Sequence, residues 1–266
     1  MQLENIKIIL ADPGGNITAI VLDDVPVEAH AQINRFILAK ATSVEQVVFL
    51  QKRGGVIHGQ MAGGEFCGNA ARALGYVAAD GKKSRQRLTM SGLSVPVVVE
   101  VSPGRSKLEM RSGIRHERLL LKDAPISVVH MDGISHAILF SEHPSFFLLK
   151  ERATGQGGQG AVKTALDELK LTSLPACGLL FVENKHDTVS FAPYVFVRDM
   201  GTLCAETACA SGSVAVACVL AKDVDVYQPS GEALHITLEQ NDGAVKADVD
   251  GSMSILWEGT AGSLHC

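Results

Sequence analysis

Two cysteines stand in matching sequence contexts, each where a helix of small residues is predicted to begin. Cys67 lies in Glu-Phe-Cys-Gly-Asn-Ala-Ala-Arg (65–72), and Cys209 lies in Glu-Thr-Ala-Cys-Ala-Ser-Gly-Ser (206–213). A thiol at a helix start lies in the positive field of the helix dipole, which favours the thiolate. Free backbone N–H groups at the same place can hold a carboxylate. One such segment in each half of the chain indicates two bases that face one substrate carboxylate.

Two thiols on opposite sides of a substrate could racemise an α-amino acid. The reaction removes a weakly acidic Cα proton and returns a proton to the opposite face, which a single base cannot readily reach. One sulfur must be thiolate and the other thiol, and the roles exchange with the handedness of the substrate. Backbone N–H groups at Gly68, Asn69, Ala210 and Ser211 would stabilise the enolate charge that develops on the carboxylate.

Other interpretations of the cysteines compete with this one. A cysteine taken alone is more often an ordinary buried thiol than a catalytic group, and the repeated context is what favours chemistry. A disulfide between Cys67 and Cys209 would be an oxidised, inactive state. Zinc is disfavoured because Cys204, Cys209 and Cys218 lack ligand spacing. Cys177 and Cys218 are predicted to be core residues.

Composition excludes several classes of function. The chain has 266 residues, a net charge of −5 and scattered Lys and Arg, so no basic surface for nucleic acid or membrane is expected. No apolar run reaches membrane-spanning length, and residues 1–5 do not resemble a signal peptide. Six cysteines without an export signal indicate reduced thiols in a cytoplasmic protein. A homodimer is left open.

The hydrophobic pattern predicts an α/β protein with two halves. Helices are predicted at Val27–Ala39, Gly68–Ala79, Val162–Leu169 and Ser211–Lys222, and residues 154–160 are predicted to be a loop. Strands rich in Val, Ile and Phe are predicted at Ile6–Leu10, Thr18–Leu22, Val44–Leu50, Val56–Met61, Val95–Val101, Lys107–Met110, Ile126–Met131, His136–Phe140, Cys177–Glu183, Val189–Val197, Leu234–Leu238, Ala244–Val249 and Met253–Glu258. Residues 1–124 would carry Cys67, residues 125–256 would carry Cys209, and a final strand at 257–266 would return to the first half.

Several polar residues are candidates for contact with a substrate. Asn16 follows two glycines at a turn, where a turn role alone is the more common one. Glu45 and Gln46 interrupt an apolar strand, and alternation would turn one of them inward, where a substrate amino group could be its partner. Glu206 could cap a helix or bind an ammonium group. His136 could line a pocket, although a core position is the more common one.

The motifs Gly14-Gly15-Asn16, Glu45-Gln46, Cys67-Gly68-Asn69 and Cys209-Ala210-Ser211-Gly212 together resemble the diaminopimelate epimerase-like superfamily. This resemblance implies two pseudo-symmetric domains, each a curled, mostly antiparallel sheet around a central helix, with the substrate in the cleft between them. It implies no cofactor and no metal. By the same resemblance the acid–base pair is Cys67 and Cys209, and the residues that match substrate-contacting positions are Asn16, Gln46, Gly68, Asn69, Ala210 and Ser211. The predicted substrate-binding residues also include Glu45, Glu206 and Gly212.

Departures from the diaminopimelate epimerases concern the far end of the substrate. Ile134 stands where those enzymes carry an Asn, and their Glu-Arg pair before the second cysteine has no clear counterpart. The strings around Glu65 and Glu206 resemble more closely the histidine racemases of opine-metallophore pathways. The favoured function is therefore cofactor-independent racemisation of an amino acid, with histidine as the favoured substrate. Diaminopimelate epimerase, an isomerase or dehydratase of the same fold, and a non-catalytic ligand-binding relative are the alternatives.

Overall fold

The computed structural model describes residues 2–155, 158–185, 188–241 and 243–264. The helices in these ranges are α1 (Val27–Lys40), α2 (Gly68–Ala78), α3 (Phe146–Thr154), α4 (Gln159–Glu168) and α5 (Ala210–Leu220). The strands are β1 (Lys7–Asp12), β2 (Thr18–Val21), β3 (Gln46–Arg53), β4 (Val56–Met61), β5 (Ser84–Met90), β6 (Val97–Ser102), β7 (Arg105–Leu121), β8 (Ala124–Met131), β9 (Ile134–Phe140), β10 (Ala176–Lys185), β11 (Thr188–Val197), β12 (Thr202–Ala205), β13 (Val224–Tyr227), β14 (Ala233–Asn241), β15 (Ala244–Ser252) and β16 (Ser254–Thr260).

A single mostly antiparallel sheet connects these strands and curls twice. Its order is β15-β14-β13-β11-β10-β9-β8-β7-β6-β5-β4-β3-β2-β1-β16, with β12 attached to β11. Strand β7 is long because it serves both curls: residues 105–113 pair with β15, and residues 114–121 pair with β8. The strands from β7 to β15 therefore close into a ring, and β16 returns to pair with β1.

The helices α2 and α5 lie inside the two curls. Residues 68–75 of α2 and residues 210–218 of α5 are all buried. Both helices carry small or apolar side chains on almost every face. A helix of that kind is stable only when other elements cover it on every side. Position 75 requires glycine, because a Cβ atom there would lie only 2.6 Å from the Val99 side chain. The shared core of the two curls thus places the first residues of α2 and α5 in the interior.

The remaining helices cover the outside of the sheet. Helix α1 packs on the apolar cluster that contains Ile33, Ile37 and Phe49. Helices α3 and α4 pack on a separate cluster that contains Phe146 and Leu166. Within the described ranges, no helix combines the length and the apolar character that crossing a bilayer requires.

The predicted α/β class with curled sheets around central helices is confirmed. The sequence pattern missed β5, β12, β13 and α3, because β5 is polar, β12 and β13 have only four residues each, and α3 carries apolar residues on both faces. The loop predicted at 154–160 lies partly outside the described residues, and α4 already begins at Gln159. The last strand spans Ser254–Thr260, which agrees with the predicted strand Met253–Glu258 and begins before the predicted segment 257–266. The domain boundary at 123–125 stays a prediction.

Candidate active site

Each of the two paired cysteines is the residue immediately before a buried helix. Cys67 precedes α2 in an extended conformation, and its sulfur accepts a hydrogen bond from the Ala70 N–H at 3.4 Å. Cys209 precedes α5 in a similar conformation. A residue in this position has a side chain that turns back toward the unpaired N–H groups of the first helical turn. Both thiols therefore lie at the positive ends of their helices.

The first residues of α2 and α5 touch each other. A Cβ atom at Gly68 would lie 2.9 Å from the Cβ of Ala210, so only glycine fits this crossing. The side-chain amide of Asn69 donates a hydrogen bond to the Ala208 carbonyl at 3.2 Å. These contacts join residues that are about half the chain apart in sequence. They hold the two cysteine-bearing segments against each other.

One cavity has both thiols in its wall. Its polar lining includes Asn34, Glu45, Gln46, Glu65, Asn69, Thr202, Glu206 and Ser211. The apolar lining includes Phe66, Ile134, Val197 and Met200. Among the described residues, the charged groups of this wall are three glutamates, without a lysine, arginine or histidine. A site of this kind attracts an ammonium group and repels an additional carboxylate.

Most of the predicted substrate-binding residues line this cavity. Gly68, Asn69, Ala210 and Ser211 belong to the two helix starts, and Glu45, Gln46 and Glu206 approach from outside them. Two predicted residues lie behind the wall and not in it. Asn16 is buried and contacts Glu45, and Gly212 lies under Cys209, where a Cβ atom would be 3.2 Å from the sulfur.

Glu45 is bound by the protein itself, which the sequence did not suggest. It lies just before β3 and not within a strand as predicted. Its carboxylate accepts hydrogen bonds from the Thr207 hydroxyl, from the Thr207 N–H at 2.9 Å and from the Asn16 amide at 3.2 Å. The Thr207 hydroxyl oxygen accepts a bond from the Asn16 N–H at 2.7 Å. The segment before Cys209 is thereby fastened to the other curl.

Burial determines the protonation of the thiols. The pKa of Cys67 is raised to about 12, mainly by burial and also by the Glu206 carboxylate, against hydrogen bonds from the Ala70 N–H and the Gln46 side chain. Burial also raises the pKa of Cys209 well above its usual value, again with Glu206. The expectation that the helix starts favour thiolate is wrong for this site, because desolvation outweighs the dipole. Both thiols are therefore protonated at neutral pH.

Burial also raises the pKa values of two acids of the wall, Glu206 and Glu65. The pKa of Glu206 is raised to about 8, mainly by burial and also by Glu45 and Glu65, against hydrogen bonds with Cys209 and Asn16. Burial raises the pKa of Glu65 as well, and its Oε2 atom is buried without a hydrogen-bond partner among the described residues. A positively charged ligand would relieve these costs, because it favours the ionised form of every acid around it.

We expect Glu206 to make the free energy of unfolding depend on pH. An acid whose folded pKa of about 8 exceeds its usual 4.5 stabilises the folded state fully below pH 4.5, and this stabilisation is lost as the pH rises towards 8. In Glu206→Gln this decline should be smaller, so the variant should gain stability relative to the wild-type protein between pH 5 and pH 8. Urea unfolding at several pH values measures the difference. Glu151→Gln on the exposed face of α3 is the control, and equal pH slopes in all three proteins would contradict the assignment.

Arg72 is a residue of the site region that the sequence analysis missed. Its guanidinium group is fully buried and donates hydrogen bonds to the carbonyls of Pro13, Ser106 and Ser252 at 2.8, 3.1 and 2.9 Å. It also donates to Asn69 Oδ1 at 3.3 Å. Burial lowers its pKa to about 10, so the group stays charged. Arg72 thus fastens α2 to the loop before Asn16 and to strand ends.

Replacing Arg72 should cost stability even when the charge is kept. Lysine offers one compact donor group in place of the planar fork, so Arg72→Lys would leave buried carbonyls unpaired and lower the free energy of unfolding by about 3 kcal/mol. Arg115→Lys, at a largely exposed arginine, should change it by less than about 0.5 kcal/mol. Urea unfolding of the two variants gives both values. Equal effects would show that the fork geometry of Arg72 does not matter.

The remaining described cysteines lie either in the cavity wall or in the core. Cys204 lies on β12, lines the cavity and is exposed, whereas Cys177 and Cys218 are buried in the core. Like Cys67 and Cys209, these three cysteines are free thiols. In the part of the chain that the structure describes, no three His, Cys, Asp or Glu side chains are arranged to hold a metal ion.

The sequence is similar to a described family over nearly all of its length. The sequence model of the family described as histidine racemase CntK N-terminal domain matches residues 5–261. Two curated histidine racemases, from two strains of Fusobacterium nucleatum subsp. nucleatum, are 28% and 29% identical to it over 277 residues. Each alignment covers 97% of this chain and 97% of the relative.

Solved structures share the fold. A predicted epimerase from Pseudomonas aeruginosa has a TM-score of 0.64 at 14% identity, over 96% of this chain and 98% of the other. A hydroxyproline epimerase from Agrobacterium vitis, with bound trans-4-hydroxy-L-proline, has a TM-score of 0.64 at 10% identity, over 97% and 93%. The protein is an isomerase of the amino-acid racemase and epimerase type. The chain belongs to the family described as histidine racemase CntK N-terminal domain.

Proposed function

We propose that the protein interconverts L-histidine and D-histidine without a cofactor, with Cys67 and Cys209 as the two acid–base groups. The observation that carries this proposal is the pair of thiols in one cavity wall, each at the start of a buried helix. The names of the family and of its two curated relatives support histidine as the substrate.

The proton transfer needs one thiolate and one thiol. The ammonium group of the substrate brings positive charge between Glu206 and the thiols, and this lowers the pKa values that burial has raised, so that one of the two thiols loses its proton to solvent. One cysteine, as thiolate, then takes the Cα proton and becomes a thiol. The other gives its proton to the opposite face and becomes a thiolate. The site is thereby left in the form that runs the reverse reaction.

The helix starts account for the stabilisation of the intermediate. When Cα loses its proton, negative charge moves onto the carboxylate of the substrate. Backbone N–H groups at Gly68, Asn69, Ala210 and Ser211 lie at the positive ends of two helices that meet in this wall. They are fixed before the substrate arrives, so they need no reorganisation when the charge develops. The touching pair Gly68 and Ala210 keeps both helix ends close enough to act on one carboxylate.

The wall also bears on the choice of substrate. Its three glutamates suit the α-ammonium group and a side chain that is neutral or carries N–H donors, and imidazole meets this description. Ile134 is buried and apolar at the position where a diaminopimelate epimerase carries an Asn. Because Glu65 keeps a buried oxygen without a hydrogen-bond partner, a second carboxylate near it would be unpaired and repelled.

The test is proton NMR of a panel of L-amino acids in D₂O with the enzyme. Exchange of Cα–H for deuterium identifies the substrate, and chiral chromatography of the same samples identifies the D-product. We expect L-histidine to lose its Cα–H signal first and to yield D-histidine. Binding of L-histidine without any Cα–H exchange would indicate a ligand-binding protein and would contradict the proposal.

The proposal predicts inhibition by thiol reagents and resistance to reagents that remove cofactors. Dialysis against EDTA and hydroxylamine should leave racemisation unchanged, whereas iodoacetamide should abolish it and substrate should protect. Because Cys204 is an exposed thiol in the same wall, the alkylation is carried out in Cys204→Ser protein. Activity that survives complete alkylation of Cys67 and Cys209 would require a different base.

A further inference from the structure

A buried histidine is linked to the Cys209 thiol through a serine. His136 lies on β9 and is completely buried. Its Nε2 atom is 3.0 Å from the Ser211 hydroxyl oxygen, and that oxygen is 3.6 Å from the Cys209 sulfur. Ser211 and Cys209 are also buried. These three side chains form a hydrogen-bonded row that ends at a thiol of the cavity.

The surroundings of the imidazole determine the direction of these hydrogen bonds. The Nδ1 atom is buried without a partner among the described residues, and it lies against Gly178, where a Cβ atom would be 2.5 Å away. A buried N–H without an acceptor is rarer in proteins than a lone pair without a donor, so the proton belongs on Nε2. Nε2 then donates to Ser211, and the hydroxyl proton of Ser211 is left to point at Cys209.

The ring stays neutral, so this arrangement does not change with ordinary variation in pH. Burial lowers the pKa of His136 to about 3. The bond from Ser211 lowers the pKa of Cys209, in opposition to burial and to Glu206. A hydroxyl donor therefore offsets part of the cost of forming a thiolate at this position.

The charged groups on the strands packed against α5 face away from the thiol, and the buried Arg72 of α2 donates its hydrogen bonds to Asn69 and to backbone carbonyls. Helix α5 itself contains no charged residue. On β8, β14 and β15 the residues that pack against α5 are apolar, including Val129, Ile236 and Val249. The charged and titratable residues of these strands alternate with them and point to the opposite face. Glu206 and His136 are the titratable groups beside Cys209, and Cys67 lies in the same cavity wall.

We propose that His136 is a positioning residue that orients the Ser211 hydroxyl toward Cys209 and thereby stabilises the Cys209 thiolate, a role that rests on the acid–base function proposed for Cys209. Its action is indirect, because His136 reaches the sulfur only through Ser211. A histidine that merely filled the core would affect stability and would not need Ser211 to do so. The two possibilities therefore differ in how the two residues depend on each other.

The test measures the thiolate directly. Wild-type protein and the variants Ser211→Ala, His136→Phe and the double variant are treated with iodoacetamide between pH 6 and pH 10, and alkylation of Cys209 and Cys67 is followed by peptide mass spectrometry. Each single variant should raise the apparent pKa of Cys209 by about one unit, and so slow its alkylation about tenfold below that pKa. The double variant should be no slower than Ser211→Ala.

Two internal controls separate this effect from damage to the fold. Alkylation of Cys67 in the same samples should be unchanged, because Cys67 shares the cavity but not the hydrogen-bonded row. Ser112→Ala removes another buried serine, on β7, and should leave both rates unchanged. If His136→Phe does not fold, Gly178→Ala displaces the imidazole while keeping it and should raise the apparent pKa of Cys209 in the same way.

The proposal is overturned if His136→Phe slows the reaction of Cys209 equally with and without Ser211, if Cys67 slows to the same extent, or if no variant changes the rate. Because alkylation does not depend on turnover, the outcome is independent of the racemase assay. If the variants raise the apparent pKa of Cys209 but the wild-type protein racemises no amino acid, the proposed function is refuted and the role of His136 is supported. If the wild-type protein racemises histidine but the variants leave the apparent pKa of Cys209 unchanged, the role of His136 is refuted and the proposed function is supported.

Discussion

Replacing Cys67 or Cys209 with alanine should reduce racemisation of L-histidine by about 10³-fold, in line with the usual effect of removing a general acid or base. Inversion needs a proton taken from one face of Cα and a proton given to the other. Each variant keeps a group on one face only. The helix starts at Gly68 and Ala210 remain in place, so the substrate should still bind.

The measurement is the rate of formation of D-histidine by chiral chromatography, with circular dichroism to show that each variant is folded. Cys177→Ala is the matched control, because Cys177 is a buried free thiol in the separate cluster under α3 and α4. It should keep wild-type activity. If Cys67→Ala racemised histidine at the rate of the control, Cys67 would not be an acid–base group and the two-thiol mechanism would be contradicted.

Diaminopimelate should be a poor substrate, with kcat/KM at least about 10³-fold below that of L-histidine, because a site that leaves a buried charge unpaired rejects a ligand strongly. The far end of diaminopimelate carries a carboxylate as well as an ammonium group. In the described cavity wall this carboxylate would meet Glu65 and Glu206 and no cationic side chain. Ile134 offers it no hydrogen bond.

A competition between L-histidine and LL-diaminopimelate gives the ratio directly. L-Ornithine is a useful third substrate, since it carries the distal ammonium group without the second carboxylate and should therefore be tolerated better. Glu65→Gln should narrow the difference in kcat/KM between the two substrates, because it replaces an acid whose ionised form would repel the distal carboxylate. Faster turnover of diaminopimelate by the wild-type enzyme would restore the epimerase alternative.

The sequence predicts those parts of the site whose structure depends mainly on neighbouring residues. The two helix starts could be predicted because small apolar residues after a cysteine produce a buried helix with exposed N–H groups at its end. Seven of the nine predicted binding residues lie in the cavity wall. Five of them belong to those helix starts or to the segment before Cys209, whereas Glu45 and Gln46 lie at the start of β3.

Contacts across the chain were not accessible from local patterns. The bond between Thr207 and Glu45 joins residues 162 positions apart, and nothing in the context of Thr207 indicates it. Arg72 and His136 are polar types usually found at the surface or half-buried, and their partners are backbone carbonyls or a serine of another element. The predicted preference for thiolate was wrong for a related reason, because burial by both curls cannot be read from the helix start alone.

The most direct test of a two-thiol racemase is the isotope content of the first product formed in D₂O. L-Histidine with protium at Cα is mixed with enzyme, and D-histidine is analysed by mass spectrometry while little substrate has been converted. The account predicts that this D-histidine carries deuterium at Cα while the remaining L-histidine keeps protium, because the donating thiol has exchanged with solvent and the abstracting thiol holds the substrate proton. D-Histidine that retains the protium of the substrate would show transfer by a single base and would contradict the account.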